Sequence, residues 1–354
     1  MDKPATIDAG ASTLIFCEDG TPGITRRKVR HGWGYWDADG QRITDREEID
    51  RLNRIALPPA YTDAWFSPVP HGHILATGID ARGRKQYRYH PDFRSHREGE
   101  KFDGCAGFGR LLPKVRKRVD KALRSHGLSR ERAIASVVRL LDGGGIRIGN
   151  ESYVKANNSF GATTLRKRHA RFQGRELKLR FKAKSGQQRE LRITDKSLIR
   201  FVRRMQDLPG QHLFRYVDDA GEACPVTSGD VNAFLRETMG QHFTAKHFRT
   251  FAASVHALEL LATAEGKLPL KELLVAVSAK LGNTPAIARK SYVHPAVLAL
   301  VPDQAAWRET LKLPRETAWL SRYERALIAL LEGGPRTAEL LAAPAGAAAG
   351  PSAA

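Results

Sequence analysis

Five side chains between residues 147 and 292 are of the types needed to break a phosphodiester and keep its energy in a bond to the protein. In chain order, these candidate catalytic residues are Arg147, Lys184, Arg249, Asn283 and Tyr292. A phosphodiester attacked at phosphorus gathers negative charge on its non-bridging oxygens, and fixed guanidinium donors stabilise that charge where it develops. The sequence therefore predicts transfer of a phosphoryl group to the tyrosine hydroxyl.

Tyr292 is the candidate nucleophile. A phenol has a pKa near ~10 and is mostly protonated at neutral pH, so positive charge around it has to favour the phenolate. Arg289 and Lys290 precede it in the chain, and we expect Arg147 and Arg249 to face it. For an arbitrary tyrosine, the alternative is a buried structural side chain at the end of a helix.

A single arginine in a basic chain is more often a surface residue than a catalytic one. Arg147 stands between Ile146 and Ile148 after the glycine-rich stretch 142–145, and we expect it to be partly buried. The stretch lacks the Lys-Ser/Thr ending of a nucleotide-binding P-loop, so we expect its glycines to shape a turn.

Two lysines and one asparagine complete the predicted chemistry. Lys184, at the expected tip of a basic hairpin, is the candidate general acid for the strongly basic deoxyribose oxygen that leaves. Lys182 alternates with an apolar neighbour, so we expect it to contact phosphate. Asn283 precedes Thr284 and Pro285, which are typical of an N-cap and a first helical residue. Asn283 would then lie at a helix N-terminus, which favours anions, or else it is a plain turn residue.

The composition predicts a polyanionic partner. The chain has 354 residues, with 58 Lys and Arg against 38 Asp and Glu, and a formal net charge of +20. The basic residues cluster, since positions 166–192 hold eleven Lys or Arg and two acids. Such a pattern is typical of a protein that binds a polyanion such as nucleic acid. The alternative is a basic protein with no such partner.

The cysteines and the hydropathy pattern argue against several other classes. Cys17, Cys105 and Cys224 are far apart, which predicts neither a disulfide framework nor a zinc site. No apolar run reaches membrane-spanning length, and the N-terminus lacks a signal-peptide core. A reducing cytoplasm fits these cysteines, and we expect no metal or membrane partner. We further expect a nucleoid-associated monomer with no cofactor and no small-molecule partner.

The patterning predicts an α+β protein of two domains. We expect a small β-rich N-terminal domain and a larger, mainly α-helical catalytic domain that carries a small hairpin or sheet. The layout suggests a clamp that closes around duplex DNA. The predicted bounds are a disordered lead at 1–12, the β-rich domain at 13–90, the helical domain at 91–335 and a disordered tail at 336–354.

Local patterns place the individual elements. In the first domain we expect a hairpin turn at 37–40 and a helix at 45–55, capped by Thr44 or Asp45. In the second, apolar and basic residues alternate over 176–194, which predicts a hairpin with one apolar and one basic face. Helices are predicted at 106–126, 130–143, 151–157, 195–206, 228–239, 245–263, 269–281, 285–292 and 315–332.

These motifs together resemble type IB DNA topoisomerases of the compact bacterial and poxviral kind, over residues 14–330. The resemblance implies that Tyr292 attacks one strand and forms a 3′-phosphotyrosyl link, releasing a 5′-hydroxyl. It implies that Arg147, Arg249 and Asn283 bind the scissile phosphate while Lys184 protonates the leaving oxygen. The broken strand then rotates and is resealed, so neither ATP nor a metal ion is required.

The resemblance extends to the first domain, where segment 83–89 is similar to the one with which poxviral relatives read DNA. It implies that Gln86 pairs with a base edge, as amide side chains do with adenine, and that Tyr87 and Tyr89 bind phosphates or sugars. Because a strand alternates, we also expect at least one of the two tyrosines to lie in the core. The other candidate DNA contacts are Arg84, Arg97, Tyr153 and Lys182.

Two residues depart from the family pattern, and two other functions stay open. Asn283 replaces a histidine of viral and eukaryotic relatives, which removes a titrating group. Asn150 stands where the poxviral motif has a basic residue, so we expect weak or different sequence preference. A tyrosine recombinase shares the chemistry, but it usually has a histidine three residues before its second arginine, where this chain has Lys246. A non-catalytic nucleoid-binding protein would need only the charge.

Overall fold

A computed structural model of the chain describes residues 6–8, 13–240 and 243–342. The chain divides into two compact units, Met1–Lys101 and Phe102–Ala354. The first is built on a β-sheet and the second mainly on helices, which confirms the predicted α+β class.

Short antiparallel strands dominate the first unit. Its elements are β1 (Thr6–Asp8), β2 (Thr13–Ile15), β3 (Ile24–Val29), β4 (Gly32–Trp36), α1 (Arg46–Arg54), β5 (Thr62–Phe66), β6 (Ile74–Ile79) and β7 (Lys85–Tyr89). Five strands form one sheet in the order β4-β3-β5-β6-β7, and β1 pairs with β2. Strand β7 is therefore at an edge of the sheet. A small core packs between the sheet and α1 and contains Ile24, Tyr35, Leu52, Leu57, Phe66 and Ala76.

The predicted helix start and the predicted turn at 37–40 are both present in this unit, although the strand pairing after the turn is short. Asp45 caps α1 by accepting a hydrogen bond from the backbone N–H of Glu47. Strand β4 pairs along its length with β3, which precedes it. After the turn at 37–40 the chain returns antiparallel to β4 over a short stretch, with a bridge between Trp36 and Arg42 and a hydrogen bond of 2.9 Å from the N–H of Ile43 to the carbonyl oxygen of Tyr35.

Twelve α-helices and five strands follow in the described chain. The helices are α2 (Pro91–Arg124), α3 (Arg130–Gly144), α4 (Glu151–Asn157), α5 (Lys196–Gln206), α6 (Ser228–Met239), α7 (Ala245–Thr263), α8 (Leu270–Leu281), α9 (Pro285–Ser291), α10 (Pro295–Ala299), α11 (Gln304–Thr310), α12 (Arg322–Gly333) and α13 (Thr337–Ala342). The strands are β8 (Ala170–Gln173), β9 (Glu176–Lys182), β10 (Gln188–Ile193), β11 (Arg215–Val217) and β12 (Ala223–Pro225).

Two of the predicted helices start more than one residue away from the predicted position. Helix α2 begins at Pro91, well before the predicted start, since proline fits a first turn. Gly109 is a packing position within this helix and not a break, since a Cβ on it would lie 2.5 Å from the ring of Phe251. Helix α12 begins later than predicted, at Arg322, because the side chain of Ser321 caps it there.

Parts of the two predicted disordered segments are ordered. Residues 6–8 pair with β2 as strand β1. Helix α13 lies inside the predicted tail, and its Thr337 is buried. Composition favoured disorder in both places, but pairing and packing with other parts of the chain override it. The rest of the predicted lead, together with residues 343–354, lies outside the described ranges.

The predicted basic hairpin is confirmed and belongs to a three-stranded sheet of order β10-β9-β8. Leu177, Leu179 and Phe181 are buried in the main core of the second unit, while Lys182 on the opposite face is exposed. A short 3₁₀ turn, Lys184–Gly186, joins β9 to β10. The sheet thus turns a basic face outward and holds Lys184 at its tip.

Arg116 ties three helices together behind the end of α3. From α2 it donates to both carboxylate oxygens of Asp142 in α3, at 2.8 and 2.9 Å. It also donates to both oxygens of Glu324 in α12, at 2.9 and 2.7 Å. All three side chains are mostly buried, so the network anchors the helix end that leads to Arg147.

Arg116→Ala is expected to lower the free energy of unfolding by about 3–5 kcal/mol, because it leaves two mostly buried carboxylates without their cation. Chemical denaturation of the purified variant measures this change. Arg110→Ala is the matched control: on the same helix Arg110 pairs with Glu332 at 3.1 Å in an exposed position, and its loss should cost under about 1 kcal/mol. Equal effects for the two variants would contradict the anchoring role.

Candidate active site

Arg249 is the buried centre of the candidate site. It lies near the start of α7, and only 3% of its surface is exposed. Nη1 donates to the carbonyl oxygen of Gly145, and Nη2 donates to that of Leu281 at 3.1 Å. Because Gly145 caps the end of α3 and Leu281 ends α8, this guanidinium joins three helices.

The side-chain oxygen of Asn283 accepts from both candidate arginines. Nη2 of Arg147 donates to Oδ1 at 2.6 Å, and Nη2 of Arg249 donates to the same oxygen at 3.1 Å. The opposite assignment of the amide would put its NH₂ group against two cations. Nδ2 of Asn283 and Nε of Arg249 are buried without a hydrogen-bond partner among the described residues. Unpartnered buried donors on adjoining side chains suit an anionic oxygen.

A glycine-ended helix presents Asn283. Gly282 follows α8 with φ of 63°, and the N–H of Asn283 donates to the carbonyl oxygen of Ser278 at 3.0 Å. This is a Schellman-type ending, in which a left-handed glycine satisfies carbonyls of the last turn. Thr284 then caps α9 and Pro285 occupies its first turn, which confirms the predicted helix start.

Tyr292 follows α9 directly and is held by α7. The hydroxyl of Ser254 lies 3.3 Å from the carbonyl oxygen of Tyr292 and accepts from the N–H of His294 at 2.9 Å. The half-buried ring of Tyr292 faces Arg249, whose Cζ is 4.7 Å from the ring centroid. Helix α7 therefore fixes both the guanidinium and the backbone of the candidate nucleophile.

The pKa of Tyr292 lies below the ordinary value of a phenol. Burial alone would raise it, but the charge and a hydrogen bond of Arg249, helped by the charges of Arg147 and Lys246, outweigh burial. Burial also lowers the pKa of Arg249, to about 10, which leaves the guanidinium protonated at neutral pH. The cationic surroundings expected of Tyr292 are therefore present.

Lys184 stands apart from the other four candidate catalytic residues. It begins the 3₁₀ turn at the hairpin tip, and its side chain is exposed. No hydrogen bond, ion pair or ring contact joins it to another residue in the described ranges. The structure thus brings together Arg147, Arg249, Asn283 and Tyr292 and leaves Lys184 directed by the hairpin alone.

Arg84 and Gln86 converge on one carboxylate in the first unit. Nη2 of Arg84 lies 2.7 Å from Oδ2 of Asp80, and Nε2 of Gln86 donates to the same oxygen at 3.0 Å. Gln86 is half-buried at the edge of the sheet. A DNA base that accepted a hydrogen bond from Nε2 of Gln86 would compete with Asp80 for that donor.

Tyr87 and Tyr89 are both on the surface, so the expectation that one of them lies in the core is wrong. They are 41% and 43% exposed, and their rings stack with centroids 5.7 Å apart. Residues two apart on a strand point to the same side, so alternation puts both on one face of edge strand β7. Arg97 lies with its Cζ 5.8 Å from the Phe93 ring centroid, and Tyr153 in α4 is exposed.

The sequence interpretation missed a third arginine beside the site. Arg147, Arg189 and Arg249 line one groove, which we call the arginine groove, with Phe181 and Leu281 among its apolar walls. A signal was present, because alternation with the apolar residues that follow in β10 puts Arg189 on the apolar face of the hairpin. A charged residue at such a position needs a partner.

The described residues form neither a metal-binding cluster nor a membrane-spanning helix. No group of three or more His, Cys, Asp and Glu side chains in these ranges is arranged to hold a metal ion. None of the helices in the described part of the chain combines the length and apolar character needed to cross a membrane.

Comparisons with known protein families match most of the chain. The family described as the catalytic core of eukaryotic DNA topoisomerase I matches residues 90–304. The N-terminal domain of bacterial DNA topoisomerase IB matches residues 32–80. All five candidate catalytic residues fall within the longer match.

Individual relatives extend this similarity. DNA topoisomerase 1B of Acanthamoeba polyphaga mimivirus is 30% identical over 285 residues, which cover 77% of this chain and 85% of that protein. DNA topoisomerase 1B of vaccinia virus (strain Copenhagen) is 20% identical over 275 residues, or 73% and 84% of the two chains. Among solved structures, the XerH site-specific recombinase bound to its difH substrate aligns with 55% of this chain and 51% of its own, at 16% identity and a TM-score of 0.36. That likeness is too weak to support an argument.

Proposed function

The chain belongs to the type IB family of DNA topoisomerases and relaxes supercoiled DNA, and we propose that Tyr292 is the nucleophile of that reaction. The observation that carries this proposal is the half-buried phenol stacked on the buried guanidinium of Arg249, 4.7 Å from Cζ to the ring centroid. Although burial acts the other way, Arg249 brings the pKa of the phenol below its ordinary value. A lowered pKa activates a nucleophile at neutral pH.

In the proposed cleavage step, Oη of Tyr292 forms a bond to phosphorus in one strand. The bond from that phosphorus to the 5′-oxygen of the next nucleotide breaks. The phenol proton passes to solvent, and the departing oxygen takes a proton from Lys184. One phosphoester replaces another, so the bond energy is kept, and the 5′-hydroxyl can attack back after the broken strand has rotated.

Arg147, Arg249 and Asn283 are proposed to bind the scissile phosphate. Support comes from the buried, unpartnered Nδ2 of Asn283 and Nε of Arg249, which are donors without an acceptor in the described protein. Fixed donors of this kind act most strongly where charge develops in the transition state. The groove then provides positive charge and hydrogen bonds in a partly dry environment, where both are worth more.

Lys184 is proposed to act as general acid once duplex DNA lies against the hairpin. Its exposed position at the tip of a basic strand pair is compatible with a side chain that reaches the leaving oxygen from the DNA side. Lys182, exposed on the same hairpin, is proposed to contact the phosphate backbone. Phosphate contacts by such lysines position the duplex without reading sequence.

The remaining DNA contacts are proposed at the exposed residues of both units. The stacked rings of Tyr87 and Tyr89 offer flat surfaces to sugars or phosphates. Arg84 and Gln86, now paired with Asp80, and Arg97 and Tyr153 complete the proposed set. The side chain of Asn150 caps α4 by accepting from the N–H of Ser152, which supports weak sequence preference at that position. We further propose that the protein works as a monomer on the bacterial nucleoid.

Relaxation of a negatively supercoiled plasmid in EDTA, without ATP, tests the proposed reaction. The plasmid should carry no repeated sites, so that a recombinase that needs paired sites would leave it unchanged. We expect full relaxation and, after denaturing detergent is added during turnover, DNA joined to protein through its 3′ end. A requirement for magnesium or a nucleotide, or linkage to the 5′ end, would contradict the mechanism.

A further inference from the structure

Arg189 links the hairpin that carries Lys184 to the end of the helix that precedes Asn283. Nη1 donates to the carbonyl oxygen of Ala279 at 3.1 Å, and Nη2 donates to that of Lys280 at 2.8 Å. Both carbonyls belong to the last turn of α8, where a helix runs out of its own N–H donors. A cation there is also favoured by the helix dipole, so Arg189 serves as a side-chain cap for α8.

The residue after α8, Gly282, lies directly against the guanidinium of Arg189. Gly282 has φ of 63°, and a Cβ on it would lie 2.9 Å from both Cδ and Nη1 of Arg189. The backbone conformation favours glycine at 282, and any larger residue there would also force Arg189 to shift. The contact sets Arg189 against the peptide that leads into Asn283.

The strand register of the hairpin fixes the position of Arg189. Arg189 pairs with Phe181 across the two strands and shares its face of the sheet. Nearer the tip, the N–H of Ala183 donates to the carbonyl oxygen of Gln187 at 2.7 Å, and Lys184 follows at once. Lys184 begins the turn of the hairpin that carries Arg189, so the contact of Arg189 with α8 constrains the backbone from which Lys184 extends.

Charge adds to this geometry. Arg189 lines the arginine groove with Arg147 and Arg249. Burial, and after it the charge of Arg147, lower the pKa of Arg189, which is the cost of holding three cations close together. Two hydrogen bonds to carbonyl oxygens are a small return for placing Arg189 beside another cation. Charged groups with shifted pKa values are concentrated at functional sites, which favours a functional role for Arg189.

We propose that Arg189 is a positioning residue for the general-acid step, a role that rests on the reaction proposed above. It holds the hairpin against the end of α8. Lys184 on the hairpin and Asn283 beyond the helix thereby keep the separation that protonation of the leaving oxygen requires. Through its two contacts with the carbonyl oxygens of α8, the residue acts on the position of Lys184.

The test uses two DNA substrates that differ in one atom. In the first, the leaving group at the scissile phosphate is the natural 5′-oxygen. In the second, sulfur replaces that oxygen, and a thiolate leaves without a proton because a thiol has a pKa near ~8.5. Single-turnover cleavage of each is measured for the full chain, for Arg189→Ala and for Lys184→Ala.

Arg189→Ala should cleave the oxygen substrate about 10²-fold more slowly, the order of loss that a misplacement of about 1 Å produces. It should cleave the sulfur substrate within a few fold of wild type, as Lys184→Ala should. A loss of equal size on both substrates would show that Arg189 supports the phosphate ligands or the fold, and the proposal would be wrong.

Two further variants separate positioning from charge and from folding. Arg192→Ala removes an exposed arginine of the same strand, which pairs with Glu190 within β10, and should cleave both substrates like wild type. Arg189→Lys keeps the charge and one donor, so it should recover part of the oxygen rate and carries the test if Arg189→Ala does not fold. A full loss of oxygen-substrate cleavage in Arg192→Ala, or none in Arg189→Ala, would overturn the assignment.

The outcomes also separate this inference from the proposed reaction. If sulfur fails to rescue Lys184→Ala, the general-acid role of Lys184 is wrong and the positioning role falls with it. If sulfur rescues Lys184→Ala but not Arg189→Ala, the reaction stands and only the role of Arg189 is wrong.

Discussion

Tyr292→Phe is expected to bind duplex DNA as tightly as the wild-type protein and to relax none of it. The substitution removes one oxygen and keeps the ring that packs on Arg249, so the fold and the arginine groove should be preserved. Loss of an enzyme nucleophile lowers kcat by about 10⁶-fold. Plasmid relaxation with protein in excess, together with detergent trapping of the covalent complex, measures this loss.

Tyr323→Phe is the matched control, because it also removes one tyrosine hydroxyl from the second unit. Tyr323 is a half-buried tyrosine of α12 in the same unit, and its variant should relax DNA at the wild-type rate. A Tyr292→Phe protein that still formed a covalent complex would show that another residue attacks the phosphate.

Arg249→Ala is expected to slow cleavage by about 10²–10³-fold or more, because it removes a fixed donor to the phosphate. It also removes the main charge that lowers the pKa of Tyr292 against the effect of burial. The pKa of the phenol should therefore rise in the variant, and a larger share of the phenol stays protonated at any given pH. Single-turnover cleavage from pH 6 to pH 10 should level off at a higher pH than in the wild type.

Arg249→Lys separates the two roles of this side chain. An ammonium keeps the positive charge near Tyr292 but loses the forked donors that reach Gly145, Leu281 and Asn283. Its pH profile should stay close to that of the wild type while its rate remains low. A profile that is unchanged in Arg249→Ala would mean that the guanidinium does not control the phenol.

The confirmed predictions rest on patterns that act over a few residues. The hairpin over 176–194 follows from strict alternation, because a strand with one buried face has a period of two. Thr284 and Pro285 start a helix through their own local chemistry. Similarity to known relatives then confirms the family and its activity, while the roles of individual residues stay predictions.

The features that the sequence did not reveal depend on contacts between distant segments. The oxygen of Asn283 accepts from Arg147 and Arg249, an arrangement that three helix ends create and no spacing encodes. The exposure of Tyr87 depends on β7 being the edge strand. Arg189 could have been found, since its alternation put a charge on an apolar face, but its partners in α8 could not.

The amide of Asn283, whose oxygen accepts from Arg147 and Arg249, also affects the active lifetime of the enzyme. Asparagine is among the less durable side chains, and slow hydrolysis of the amide at Asn283 would replace NH₂ with a second carboxylate oxygen. That anion would neutralise the neighbouring guanidinium groups and repel the backbone of the double helix. Deamidation of this one side chain would thus inactivate the enzyme while its fold remained intact.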